Sequence, residues 1–146
     1  MTAVFGTKEK NVDYTMRKGI YGVTFNNGKE KVLAVRTPNG GYFLPGGGVE
    51  HDESNEICLR REMLEETGYS IDIKSFIGNA SCYFLSLKGD PLLSNGYFYR
   101  VELLEKTQNP LEEGQIKEWV RIEKVEELFT HEHHIWAIKE GIHSAR

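Results

Sequence analysis

GGVEHDESNEICLRREMLEETGY, residues 47–69, packs Arg61, Glu62, Glu65 and Glu66 into six positions. Immediately upstream stand Leu44-Pro45 and a glycine triplet, Gly46-Gly47-Gly48. On a helix, positions 62, 65 and 66 are related as i, i+3 and i+4, so the three carboxylates share one face. At ~6 Å each like-charge pair costs roughly 3 kcal/mol at an effective dielectric of 20, and under ~1 kcal/mol in bulk water. A partly buried cluster of this kind calls for a cation, and an all-carboxylate ligand set suits Mg²⁺ or Mn²⁺ better than zinc. Successive glycines permit positive φ and a close approach of backbone to a ligand.

At these residues the chain resembles the Nudix hydrolase family, MutT-like members included. The Nudix box reads G-x5-E-x7-R-E-U-x-E-E-x-G-U, with U a bulky aliphatic residue. Gly47, Glu53, Arg61, Glu62, Glu65, Glu66 and Gly68 fill every fixed position. The departures are the unbranched Met63, the aromatic Tyr69, and Asp52 where many members carry glycine. None of them touches the chemistry. The resemblance implies an α/β fold, a Nudix-type α/β/α sandwich with a mixed sheet and the box as a loop-helix-loop. It also implies that Glu62, Glu65, Glu66 and the Gly46 carbonyl hold the cation. Arg61 would fix the glutamates through a hydrogen-bonded ion pair, a task for a planar five-donor guanidinium. Glu53 would hold the start of the helix.

A second, shorter similarity lies downstream. MutT-type nucleoside triphosphatases carry a loop reading EGQ-x-x-EW, matched here from Glu113-Gly114-Gln115 to Glu118-Trp119. It makes Glu113 a further metal ligand or base; an ordinary solvated loop is the competing reading. The markers of ADP-ribose and dinucleoside polyphosphate hydrolases are not matched, since Pro91 falls too late and Tyr83 early. The asparagine that reads a purine edge in MutT-type enzymes would fall near His133 or His134, so selectivity for oxidised guanine nucleotides is not supported by these residues.

The remaining features fit this reading. A chain of 146 residues, 39% hydrophobic and 27% charged, suggests one globular domain over 1–146, with 1–16 an N-terminal arm or edge strand. The net charge of −4 offers no footprint for long nucleic acid, leaving a small nucleotide as the expected partner. No basic, apolar leader opens the chain and no ~20-residue apolar run crosses it, so a cytoplasmic, non-membrane location is the default. Monomer and homodimer both stay open.

Strand patterns run over 19–25, 31–36, 69–77, 82–87, 96–104 and 117–122, with a hairpin turn at Asn26-Asn27-Gly28. Helices are expected over 54–67, 125–129 and 132–142, the first closed by Gly68. Cys58 and Cys82 lack paired zinc spacing and read as reduced, buried thiols. His131, His133 and His134 read as surface or pocket-rim residues, because no third soft ligand lies near them in sequence. His51 is a candidate phosphate contact. Tyr83, Phe84, Tyr97 and Tyr99 read as strand core, one of them available to stack on a base. The expected reaction is metal-dependent hydrolysis of a diphosphate linkage in a nucleoside diphosphate derivative. The rival from another class is a non-catalytic nucleotide sensor on the same fold; retention of every box glutamate argues against it.

Overall fold

The computed structural model describes residues 2–110 and 115–144. Among them, eight strands form two sheets: β1 (Thr2–Phe5), β2 (Thr15–Val23), β3 (Lys31–Arg36), β4 (Tyr42–Phe43), β5 (Gly46–Gly48), β6 (Tyr69–Leu85), β7 (Pro91–Lys106) and β8 (Ile116–Arg121). The helices are α1 (Asn55–Thr67), α2 (Val125–Leu128) and α3 (Glu132–Ser144). The larger sheet has the order β1-β6-β7-β2-β5, and the smaller has β4-β3-β8. β1 runs parallel to β6 and β2 parallel to β7, while β6–β7 and β2–β5 are antiparallel. The sheet is therefore mixed, as expected for an α/β fold.

Alternation along β7 shows why both faces are covered. Tyr97, Tyr99 and Val101 point one way, with Ile20 and Ile71, onto Leu59 and Met63 of α1. Phe98 points the other way, with Val23 and Ala80, onto Ala137 and Ile138 of α3. Val32, Ala34 and Val120 bring the smaller sheet into that second core. Leu59 and Met63 are fully buried, which contributes roughly 1.5–3 kcal/mol apiece toward seating α1.

Several boundaries differ from the sequence expectation. Positions 69–77 and 82–85 are parts of one continuous strand, which stops short of the expected Ser86 and Leu87. Its register shifts between Tyr69 and Ile71, Ile73 and Ser75, and Phe76 and Gly78. Such bulges break the period-2 pattern while the pairing continues. β2 begins at Thr15, earlier than the expected run, because the mostly polar residues 15–18 lie along Leu92–Asn95 of β7. At the Asn26–Gly28 turn, the Asn26 side chain accepts from the amides of Glu30 and Lys31 at 2.9 and 3.0 Å.

Candidate active site

α1 is fixed at both ends. Ser54 caps its start, its hydroxyl accepting from Ile57 N at 3.2 Å, and Gly68 closes it, its N–H donating to Leu64 O at 2.9 Å. With Cys58, Leu59 and Met63 against the sheet, Arg61, Glu62, Glu65 and Glu66 fall on the flank beside β5. β5 is held there by antiparallel pairing with Gly19–Tyr21.

Arg61 is the hub of this flank. Its Nε and Nη2 grip Glu53 in a two-point fork, at 2.6 and 2.8 Å. Nη1 donates to Glu62 at 2.8 Å and to Glu65 at 3.4 Å, and Nη2 donates to Gly48 O at 3.1 Å. One planar cation thus orients three carboxylates and the glycine strand, which a point-charged ammonium would not do. The Arg61 fork, seconded by the Glu50 N–H, holds the Glu53 carboxyl down to about 2. The bonds to Glu53 and then Glu62 raise the guanidinium's own pKa, so it stays charged.

The glycine strand meets the acidic flank at two points. Gly46 N donates to Glu66 Oε1 at 2.6 Å, and Gly46 sits at φ 147 with Ile20 O where a Cβ would go. At Gly47 a Cβ would stand 2.6 Å from the Glu62 carboxylate carbon. The missing side chain is the space the carboxylate occupies. Cys58 donates its thiol toward Gly47 O and Gly48 O, and burial pushes that thiol up to about 11, so it is a packing group.

The structure thus brings Gly46, Glu53, Arg61, Glu62, Glu65 and Glu66 to one place. Glu113 and its neighbour Glu112 lie outside the described residues. His51 is exposed, at φ 49 in the loop before α1. Tyr83, Phe84, Tyr97 and Tyr99 are half-buried.

The histidines require a correction. His133 and His134 are 0% and 1% exposed, so they are not surface residues, while the half-buried His131 does stand at a cavity wall, as the pocket-rim alternative has it. α3 turns their rings inward against Phe98. Burial depresses all three: His133 falls to about 3, with His131 adding to the effect, and His134 falls well below its ordinary value. His134 Nδ1 accepts the Leu44 amide at 3.1 Å, tying α3 to the segment that leads into the glycine strand. A third soft ligand also lies nearby in space, since Cys82 groups with His131 and His133.

A cavity of about 210 Å³ opens beside Gly46 and Glu66, bounded by Tyr21, Phe43, His131 and His134. It adjoins a cavity of about 590 Å³ walled by Phe43, Phe84 and His131. A third cavity, about 550 Å³, lined by Asn26, Arg100 and Trp119, shares no lining residue with the glutamates. Tyr21 was not singled out from sequence. Its place follows from the β2–β5 register opposite Gly46, which no local pattern encodes. Burial, with Glu66 and Glu62 adding, pushes its phenol up to about 12, so it stays neutral.

Comparison with known proteins identifies the family. The NUDIX domain model matches residues 16–141, and the chain belongs to that family. A putative 8-oxo-dGTP diphosphatase of Bacillus subtilis (strain 168) is 36% identical over 61 residues, covering 42% of this chain and 41% of that protein. A second from the same organism, YtkD, is 36% identical over 76 residues, covering 52% and 46%. Nudix hydrolase 4 of Arabidopsis thaliana is 25% identical over 114 residues, covering 77% and 52%. The chain spans about half or less of the length of these curated relatives. A NUDIX hydrolase from Nitrosomonas europaea superposes with a TM-score of 0.72 at 20% identity, over 90% of this chain and 92% of that one, which shows a shared fold. Family members generally use divalent metal. The all-oxygen donor set, with Glu62 drawn against the side-chain-free Gly47, fits such an ion here. Among the described residues, no helix is long and apolar enough to cross a membrane.

Proposed function

We propose that the protein hydrolyses the diphosphate linkage of a nucleoside diphosphate derivative, a nucleoside triphosphate or a related compound. The observation that carries this reading is the Arg61 hub, which holds Glu53, Glu62, Glu65 and the glycine strand in one arrangement. Glu62, Glu65, Glu66 and the Gly46 carbonyl would hold Mg²⁺ or Mn²⁺, and Glu113 would join them. When bound, the ion polarises the phosphoryl group and lowers the pKa of a water. The chain's own part is orientation and charge. Arg61 keeps the carboxylates aimed without competing as a general acid, because it does not lose its proton. Gly46 N fixes Glu66 against the glycine strand. A carboxylate of the cluster takes the proton of the attacking water. The nucleoside would extend from Glu66 along the cavity walled by Phe43 and Phe84, where ring faces suit a base.

The names of the two Bacillus relatives place oxidised guanine nucleotides first among substrates to try. His133 and His134, near the position where MutT-type enzymes have a purine-reading asparagine, weigh against selectivity for them. The test is a nucleotide panel assayed for released phosphate or diphosphate with Mg²⁺, with Mn²⁺ and with excess chelator. Hydrolysis that stops with chelator is the expected result. Tight nucleotide binding without turnover under every condition would favour the sensor reading.

A further inference from the structure

We propose a second cation site, for a soft divalent ion of the Zn²⁺ class, formed by Cys82, His131 and His133. It is separate from the carboxylates in both position and chemistry. One ligand atom from each residue lies within 4.8 Å of the other two. Ligands around a tetrahedral zinc at its usual 2.0–2.3 Å bond lengths are spaced by ~3.5 Å, so the three atoms need to close by about 1 Å. His131, just before α3, is half-buried and borders open cavities on the cleft side, so it is the ligand that would move.

The second observation is a buried polar atom left over. His133 is 0% exposed, and its Nε2 is engaged by Ser94 Oγ at 3.0 Å. Its Nδ1 is buried and has no hydrogen-bond partner among the described residues. Buried polar atoms are almost always satisfied, and an orphan on an imidazole beside a thiol and a second imidazole suits a metal ligand. Ser94 then acts as metal-ligating histidines commonly require, holding the far ring nitrogen and fixing the tautomer and ring plane. Carboxylates prefer Mg²⁺ and Mn²⁺, whereas one thiolate and two imidazoles select zinc-like ions. On binding, the Cys82 thiol proton leaves to solvent and the sulfur lone pair goes to the metal; the imidazoles bind neutral. Water takes the fourth position. His131 lines the cavity beside Gly46 and Glu66 and two others, so the ion has a path in, and its occupancy fixes a ring on the cleft wall.

The test uses untagged, reduced protein titrated with Co²⁺ as the spectroscopic probe. One equivalent should give tetrahedral d–d bands and a thiolate-to-cobalt charge-transfer band, both abolished by Zn²⁺. Cys82→Ser should lose the charge-transfer band, whereas Cys58→Ser should keep it. Ser94→Ala should weaken Co²⁺ binding 10–100-fold. If Cys82→Ser does not fold, His131→Gln decides, and binding at least tenfold weaker is expected. Wild-type protein without the charge-transfer band overturns the proposal. So does a band that survives Cys82→Ser or disappears in Cys58→Ser, or a wild-type affinity in His131→Gln.

Discussion

Gly47→Ala separates catalysis from folding at the glycine strand. The added Cβ would stand 2.6 Å from Glu62 Cδ and Oε2 and 2.8 Å from Oε1, against 3.4–4 Å for ordinary contact, so the carboxylate must retreat by about 1 Å. The three nearest atoms all belong to this side-chain end, not to backbone. The Ala substitution also removes unfolded-state entropy, worth about 0.4–1 kcal/mol where the backbone tolerates it. Net stability should therefore stay within ~1 kcal/mol of wild type, a shift of about 2–4 °C in Tm for a chain this size. Catalysis has no such slack. Misplacing a reacting group by ~1 Å costs on the order of 10²-fold, about 2.7 kcal/mol of barrier. kcat/KM should fall by that factor, and more metal should be needed for half-maximal rate. Gly46→Ala is the contrasting variant. There φ is 147 and the Cβ would meet backbone, Ile20 O at 2.2 Å and Tyr21 Cα at 2.7 Å, so the Tm itself should drop. Steady-state phosphate release across a metal titration, together with thermal melts, reads both quantities. Wild-type kcat/KM in Gly47→Ala would remove Glu62 from the reacting geometry. A Tm loss equal to that of Gly46→Ala would show that the strand, not the carboxylate, had moved.

Glu65→Gln and Glu66→Gln should each lower kcat by about 10²–10⁴ with Tm unchanged or raised, since like-charge repulsion is relieved; the amide of Glu66→Gln would keep an oxygen for Gly46 N. Near-normal rates in both would withdraw the cluster from catalysis. Arg61→Lys keeps the charge but loses the two-point grip on Glu53, so metal affinity should weaken 10–100-fold by the kinetic metal titration. Glu113→Gln should lower kcat with little change in Tm, while Glu112→Gln stays at the wild-type rate; equal rates for all three proteins would leave the catalytic set on α1. In chelator, acid should destabilise the fold well above the carboxylate range. His133 has a folded pKa near 3 against 6.5 unfolded, so its contribution is complete above 6.5 and is lost as pH falls from there toward 3. Between pH 7 and 5 the loss is about 2 kcal/mol, seen as a Tm lower by about 4–8 °C. A flat Tm over that interval would mean that the ring is already charged or solvated.

α1 and its acidic face were legible because their signals are local. Gly68 closes the helix, and the i, i+3, i+4 carboxylates follow from helical period alone, whereas the Ser54 cap was not singled out. The Arg61–Glu53 grip came from the family resemblance and depends on a loop returning to its own helix. The parallel pairing of β2 with β7 was not legible, since it joins segments far apart in the chain and the Thr15–Lys18 half of β2, with Met16 its one apolar residue, carries no apolar alternation. The continuity of β6 was hidden by its bulges. The burial of His133 and His134 was missed for the same reason as the company of Cys82. A run of three histidines in four positions reads as polar, and only the packing of α3 over β6 and β7 turns two of them inward.

The hydrogen bond from Leu44 N to His134 Nδ1 makes one amide a gauge of the whole cleft. Leu44 belongs to no strand, and loop amides ordinarily trade their protons with solvent within moments. This one is buried at 1% exposure and anchored to an equally buried ring. Its deuterium uptake is therefore limited by how often α3 lifts away from the glycine strand. A nucleotide that draws the two together would slow that single exchange rate before any chemistry occurs, so Leu44 can distinguish bound from merely encountered ligands in a protein that has not yet turned over.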